Sequence, residues 1–299
     1  MENILHEEHQ YLELIKNIIN RGYNESGRNG NTISLFGASM RFSLKDCKIP
    51  ILTTKKVAWK TCLKELLWFI KGETDNKLLQ KDGVHIWDEN ASKDFMTSRN
   101  LSQYSDGLLG PIYGYQWRNY NAKYDFVNGN KCNEIDDASS IDQLQQIIEQ
   151  LKNPETRNSR RLIMTAWNPL QLDEMALPPC HILCQFNVHN GNKLSCALYQ
   201  RSGDMGLGVP FNITSYSFLT HLLAKHCGLE PFEFIHFLGN YHIYDDHIEA
   251  LKEQIVKIPF DFPTLTVTNI KDNINNYELS DFIVENYECH KQIKMKMRK

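Results

Sequence analysis

The chain has 299 residues, 41% hydrophobic and 23% charged, with a formal net charge of −3. That composition excludes disordered and fibrous classes. The charge gives no support for wrapping nucleic acid, so an anionic ligand would need a local cluster of arginines.

Residues 7–21 read as an amphipathic helix, with Tyr11, Leu14, Ile15, Ile18 and Ile19 at helical spacing and Gly22 to close it. Asn24 to Asn31 reads as a loop. A second helix is expected over 58–71, with Trp59, Leu63, Leu66, Leu67 and Ile70 on its apolar side. Residues 92–139 are loop-rich and polar and read as surface elaboration without a core of their own. Ser140 with Gln143 has the spacing of a capping box for a helix through Leu151. Strands are expected at Leu162–Trp167, Ile182–Val188, Leu194–Tyr199, Phe232–Leu238 and Leu265–Thr268, and a long apolar helix over 213–227, stopped by Gly228. No repeat or linker divides the chain. The expectation is one α+β domain over 1–299 built on a sheet.

Eight cysteines lie mostly inside apolar runs. No signal peptide opens the chain, and no apolar stretch approaches the ~20 residues of a membrane span. These features predict an intracellular, cytoplasmic protein with reduced thiols.

Chemistry concentrates in a few segments. In Leu177-Pro178-Pro179-Cys180-His181 two prolines fix the backbone just before a strand. A thiolate there is a soft nucleophile, and a nearby arginine would favour its ionisation. An inert buried cysteine is the plainer alternative. Metal binding by Cys180, His181, Cys184 and His189 is disfavoured, because Cys180 and Cys184 would stand roughly 13 Å apart on a strand. Gln200-Arg201-Ser202-Gly203-Asp204 follows a strand and offers charged and hydroxyl donors suited to a phosphate. Arg160-Arg161 precedes another strand, where alternation would turn one of them inward. Glu65 lies within an apolar helix, where burial would raise its pKa and suit it to proton transfer; pairing with Lys60 or Lys64 on a solvated face is the alternative.

Taken in order, Glu65-Leu66-Leu67-Trp68-Phe69, Ile86-Trp87-Asp88, Leu109-Gly110-Pro111-Ile112-Tyr113-Gly114, Pro179-Cys180-His181, Leu198-Tyr199-Gln200-Arg201-Ser202 and Pro210-Phe211-Asn212-Ile213 resemble the thymidylate synthases, animal-type and monofunctional. The resemblance runs from about Arg28 to the C-terminus. It implies an α+β domain with a bent mixed sheet flanked by helices, paired sheet against sheet as a homodimer. It also implies conversion of deoxyuridylate and methylenetetrahydrofolate to thymidylate and dihydrofolate, without metal or flavin. Cys180 would attack carbon 6 of the uracil, with Glu65, Tyr113, His181 and Asn212 completing the catalytic set. Arg28, Arg201 and Ser202 would hold the phosphate, joined by Arg160 and Arg161 reaching across the dimer. Gln200, Gly203, Asp204 and Asn212 would face the nucleotide, and His242, Ile243 and Tyr244 its sugar. Ile86, Trp87, Asn90, Asp204, Gly208, Phe211 and Arg298 would meet the folate.

The chain departs from the family's pattern at five places. The Arg28 loop is one residue short, and the loop before Arg160 is longer. Asn240 and Asp246 exchange the usual acid and amide. The end Met297-Arg298-Lys299 replaces small apolar residues. Rival readings are a pyrimidine nucleotide hydroxymethylase of the same fold and a catalytically inactive relative that binds nucleotide or RNA.

Overall fold

A computed structural model describes residues 5–27, 29–128 and 140–298. A mixed sheet flanked by helices organises the fold, as the α+β expectation requires. Its strands are β1 (Tyr23–Gly27), β2 (Gly30–Ser43), β3 (Ile163–Thr165), β4 (His181–His189), β5 (Lys193–Asp204) and β6 (Glu230–Tyr244), in the spatial order β1-β2-β6-β5-β4-β3. A second sheet pairs β7 (Thr264–Val267) with β8 (Phe282–Glu285). The helices are α1 (His9–Arg21), α2 (Trp59–Ile70), α3 (Asn76–Lys81), α4 (Lys93–Ser98), α5 (Tyr113–Asn119), α6 (Gln143–Lys152), α7 (Gly208–His226) and α8 (Ile248–Ile255). None is long and apolar enough to cross a membrane, among the described residues. Contacts group the residues into two compact units, one of Met1–Trp59, Val188–Ile270 and Ser280–Lys299, the other of Lys60–Asn187 and Lys271–Leu279.

In the first unit α1 buries Tyr11, Leu12, Ile15 and Ile18. Leu12 takes the place expected for Leu14 and Ile19, which are half-exposed. Gly22 does end the helix, its N–H donating to Ile18 O at 2.8 Å, but in extended backbone with φ −70°. Glycine is required there by close approach: a Cβ would stand 2.4 Å from Ile33 Cγ2. The polar run 24–31, expected as a loop, is instead a hairpin in which Tyr23 pairs with Ser34 and Gly27 with Gly30. The backbone ladder overrides its composition. Arg28 lies outside the described residues.

β5 and β6 run parallel, from Lys193 opposite Glu230 to Asp204 opposite His242. A parallel pair needs a long crossover, and α7 supplies it. This helix starts five residues before the expected 213, with Pro210 in its first turn, where a missing N–H costs nothing. Glu8 is fully buried. Its carboxylate accepts from the N–H and hydroxyl of both Thr53 and Thr54 at 2.6–2.8 Å, which offsets the cost of its burial.

In the second unit α2 buries Leu63, Leu66, Leu67 and Ile70, as its periodicity predicts. The stretch 92–139 departs from expectation, because its described part carries core. Every residue of α5 is buried, and Tyr115, Ala122 and Tyr124 form an apolar cluster with Tyr104 against it. Gln116 and Arg118 are internally satisfied, whereas Asn119 Nδ2 is buried without a hydrogen-bond partner among the described residues. Gln116 Nε2 donates to Pro111 O at 2.8 Å and to Gln171 Oε1 at 3.0 Å. Arg118, 5% exposed, forks onto Asp142 at 2.9–3.0 Å and donates to Ile70 O and Asn275 Oδ1.

The cap of α6 is Asp142, which accepts from Gln145 N at 2.9 Å, and not the expected Ser140. Gln143 uses its amide on Gln116 O and Thr165 O instead of a capping box. Asp142→Ala therefore removes both a cap and the counter-charge of a buried guanidinium. We expect a loss of about 3–5 kcal/mol in urea unfolding, and a smaller loss for Asp142→Asn, which can still cap.

Candidate active site

The expected site residues fall into two clusters, one within each unit. In the second unit the prolines deliver Cys180 to the start of β4, half-buried. Its N–H donates to Tyr113 Oη at 2.9 Å. The Tyr113 ring stacks on His181 with centroids 4.1 Å apart and meets Phe69 in a tilted contact at 5.0 Å. Two glycines of the segment 109–114 permit this. A Cβ on Gly114 would stand 2.3 Å from Phe69 O, and one on Gly110 2.1 Å from Glu174 O. Tyr113 itself has φ 22°, a strained backbone of the kind held at functional sites by surrounding structure. Accepting the Cys180 N–H leaves the phenol proton able to donate.

Glu65 projects from α2 and accepts from the Trp87 indole at 2.7 Å, and Trp87 meets Tyr113 edge to face at 6.0 Å. Burial pushes the Glu65 carboxyl up to about 7, against the opposing pull of the indole bond. A carboxyl titrating there can both give and take a proton at neutral pH. The alternative pairing with Lys64 is not formed, because Lys64 Nζ donates to Asp82 O. Ile86 and Asn90 flank Trp87, both half-buried. Arg160 and Arg161 lie in the turn before β3, not on the strand, and both are exposed, so neither turns inward as alternation implied. Their backbone is anchored by Gln185 Nε2 donating to Arg160 O at 3.0 Å and by the Arg161 N–H donating to Ser159 Oγ at 3.2 Å. No group of ligating side chains forms a metal site among the described residues.

In the first unit, Gln200–Asp204 is the end of β5 itself instead of a segment beyond it. Register places Ser202 opposite Asn240, Gly203 opposite Tyr241 and Asp204 opposite His242. The parallel pairing thus gathers Arg201, Ser202, His242, Ile243 and Tyr244 at one end of the sheet. Gln200 is buried beneath them, linked to His236 Nε2 at 2.8 Å and donating to Ser202 O at 2.9 Å. Asp204 accepts from Gly206 N at 2.8 Å and Leu207 N at 3.2 Å, and so fixes the turn into α7, whose first turns carry Gly208, Phe211 and Asn212.

His242 Nδ1 lies 3.0 Å from Asn240 Oδ1, which makes Nδ1 the protonated nitrogen. Burial lowers the pKa of this ring, opposed by Asp204 and Glu25. A neutral imidazole follows, with Nε2 as an acceptor for a ligand hydroxyl. Tyr244 stands edge to face with it at 5.3 Å, and Ile243 is buried opposite Ile33. Arg298 contacts Asp245 and Asp246.

The sequence reading did not single out Lys55. Its buried Nζ donates to Gly206 O, and burial lowers its pKa to about 8, against the pull of Asp204 and Glu8. Its only signal was a charge between an apolar run and a helix start.

A thiol at a strand end, a phenol on its backbone and a carboxyl tuned to neutrality define equipment for nucleophilic catalysis with proton transfer. Arginine, hydroxyl and imidazole groups gathered at a sheet end define equipment for an anionic, hydroxyl-bearing ligand. The profile of the thymidylate synthase family matches residues 9–299. Thymidylate synthase of Homo sapiens is 49% identical over 294 residues, covering 98% of this chain and 91% of that protein. That of Encephalitozoon cuniculi is 48% identical over 296 residues, covering 98% and 97%. The bifunctional dihydrofolate reductase-thymidylate synthase of Leishmania major is 50% identical over 295 residues, and this chain spans only 55% of its length. The chain belongs to the thymidylate synthase family.

Proposed function

We propose that this protein is a thymidylate-forming methyltransferase, taking deoxyuridylate and methylenetetrahydrofolate to thymidylate and dihydrofolate. The observation that carries the proposal is the set Cys180, Tyr113, Trp87 and Glu65, joined in one cluster by hydrogen bonds and an edge-to-face ring contact, in a chain that matches the family along nearly its whole length. Family membership and the names of its relatives favour this reading over a hydroxymethylase or an inactive binder.

Cys180 Sγ adds to carbon 6 of the uracil, and the electron pair passes to carbon 5 and the ring carbonyl. Asn212 supports the charge that develops there. Carbon 5 bonds the one-carbon unit, Tyr113 assists loss of its proton, and Glu65 moves protons to and from the ring edge. Loss of that proton breaks the carbon–nitrogen bond to the folate, the hydride returned by the folate reduces the exposed methylene to methyl, and the carbon 6–sulfur bond breaks to release Cys180. The folate supplies both the carbon and the hydride, with Ile86, Trp87, Asn90, Gly208 and Phe211 assigned to hold it. Arg201 and Ser202, with Arg28, bind the phosphate, while His242 and Tyr244 bond the sugar hydroxyl.

The exposure of Arg160 and Arg161 supports a homodimer in which they reach the phosphate held by the partner subunit. Mixed Arg161→Ala and Cys180→Ala subunits should then regain part of the activity that each lacks alone, and verified exchange without recovery would count against it. Seven free cysteines among the described residues fit a reducing compartment, and we assign the protein to the cytoplasm.

A rise in dihydrofolate absorbance with deoxyuridylate and methylenetetrahydrofolate tests the activity; no rise from folded protein refutes it. Base choice rests on Asn212. Its amide offers one donor and one acceptor, matching the carbonyl and N–H of uracil. Mismatching such a pair costs roughly 1–3 kcal/mol. Asn212→Asp should therefore move the ratio of specificity constants toward deoxycytidylate by about 10- to 100-fold. An unchanged ratio would remove Asn212 as the base reader.

A further inference from the structure

The last segment of the chain has no regular secondary structure from Asn286 to Arg298, so side-chain and backbone anchors determine where it lies. His290 N donates to Thr53 O at 2.7 Å, and Ile293 is buried. Further on, His247 Nε2 donates to Lys296 O at 2.8 Å. Met295 covers Gly206, where a Cβ would stand 3.2 Å from its sulfur. The most directional anchor is Arg298. Its Nε donates to Asp246 Oδ1 at 3.2 Å, and Nη2 lies 2.9 Å from Asp246 Oδ2 and 3.2 Å from Asp245 Oδ1. The guanidinium carbon sits 5.9 Å from the centre of the Tyr244 ring.

Apart from Thr53, the groups in this set that receive the tail belong to two short segments, 204–206 and 244–247, which also carry Asp204 and Tyr244. Two adjacent carboxylates repel, and a planar guanidinium that forks onto both relieves the repulsion while fixing its own orientation. We propose that Arg298 is a positioning residue, an ionic latch that holds the C-terminal segment against Tyr244–His247. Nε and Nη2 of Arg298 are thus engaged by the protein's own carboxylates. Because the pair is partly exposed, the latch loosens with salt. If the segment also packs on a ligand held at Tyr244, the latch lowers the ordering cost of that step. That consequence for turnover rests on the functional reading above; the latch itself does not.

The test is hydrogen exchange of the peptide covering 286–299 in the ligand-free full chain, followed by mass spectrometry. Asp245→Asn/Asp246→Asn leaves the tail sequence untouched and removes both acceptor charges. Exchange in that variant should be about fivefold faster than in wild type. Wild type should approach the variant's rate at about 1 M salt, where the screening length falls to about 3 Å. Unchanged far-ultraviolet dichroism checks folding, and Arg298→Gln should reproduce the effect from the other side of the contact. In the activity assay the Asn pair should raise the folate Michaelis constant severalfold with kcat little changed. A tail as protected in both variants as in wild type overturns the latch. A protein without the proposed activity would leave the exchange result standing, so the two failures are told apart.

Discussion

Cys180→Ser should lose on the order of 10³-fold or more in turnover while binding deoxyuridylate within a few-fold of wild type. The serine hydroxyl has nearly the same size but is a far weaker nucleophile at neutral pH, and removal of a nucleophile is among the most costly changes an active site can suffer. The substitution leaves the backbone N–H of position 180 on Tyr113 Oη, a contact of 2.9 Å, so the strand start should hold its geometry. Single-turnover assay and calorimetric titration of the nucleotide together check this. Retained turnover would remove Cys180 from the mechanism. Lost binding and lost stability together would make its role structural.

Glu65→Gln carries the second large effect, and its signature is a loss of activity with a gain in stability. The folded carboxyl titrates at about 7 against an ordinary value of 4.5, because burial disfavours its charge. Near neutrality it is thus divided between acid and base. Glutamine keeps an oxygen for the Trp87 indole but cannot transfer a proton, so kcat should fall by about 10²- to 10⁴-fold. The limb of the pH–rate profile near 7 should disappear.

The stability effect has the opposite sign. With a raised folded pKa, the folded state binds the extra proton between 4.5 and about 7. Wild-type stability therefore falls as pH rises through that window, and the full penalty stands above it. Its size is at most about 3 kcal/mol, since one pKa unit is about 1.36 kcal/mol. Glu65→Gln should be little different from wild type at pH ~4.5 and more resistant to urea at pH ~8. A variant that is inactive and also less stable at the higher pH would show that Glu65 is a structural group.

Elements with a clean period were legible in the sequence. The stripes of α1 and α2 and the apolar length of α7 each point to one solution, and the strands about Cys184, Cys196 and Phe234 follow from alternation and apolar runs. The hairpin of β1 and β2 was not legible, because its residues are polar and its order comes from pairing, Ile33 with Ile243 for example. The core around α5 was hidden for a related reason. Gln116 and Arg118 look like surface residues until their partners, Gln171 and Asp142, arrive from far along the chain.

The site divides in the same way. Cys180, Glu65, Tyr113, Arg201 and His242 could be named from ordered motifs. Motifs did not disclose that Asp204 braces its own turn or that Arg298 turns to Asp245 and Asp246. The first is a local turn contact that no motif encodes, and the second joins residues up to 53 apart.

The central claim, that Cys180 is the nucleophile toward the uracil ring, is tested most directly by trapping its adduct. A deoxyuridylate with fluorine at carbon 5 can be attacked at carbon 6 and can take up the one-carbon unit. It has no proton at carbon 5 to lose, so the covalent species persists. Incubation with this nucleotide and methylenetetrahydrofolate, followed by proteolysis and peptide mass analysis, should place the added mass on the peptide containing Cys180 and on none bearing the other seven cysteines of the chain. An adduct on a different cysteine, or none from folded protein that binds the nucleotide, would contradict it.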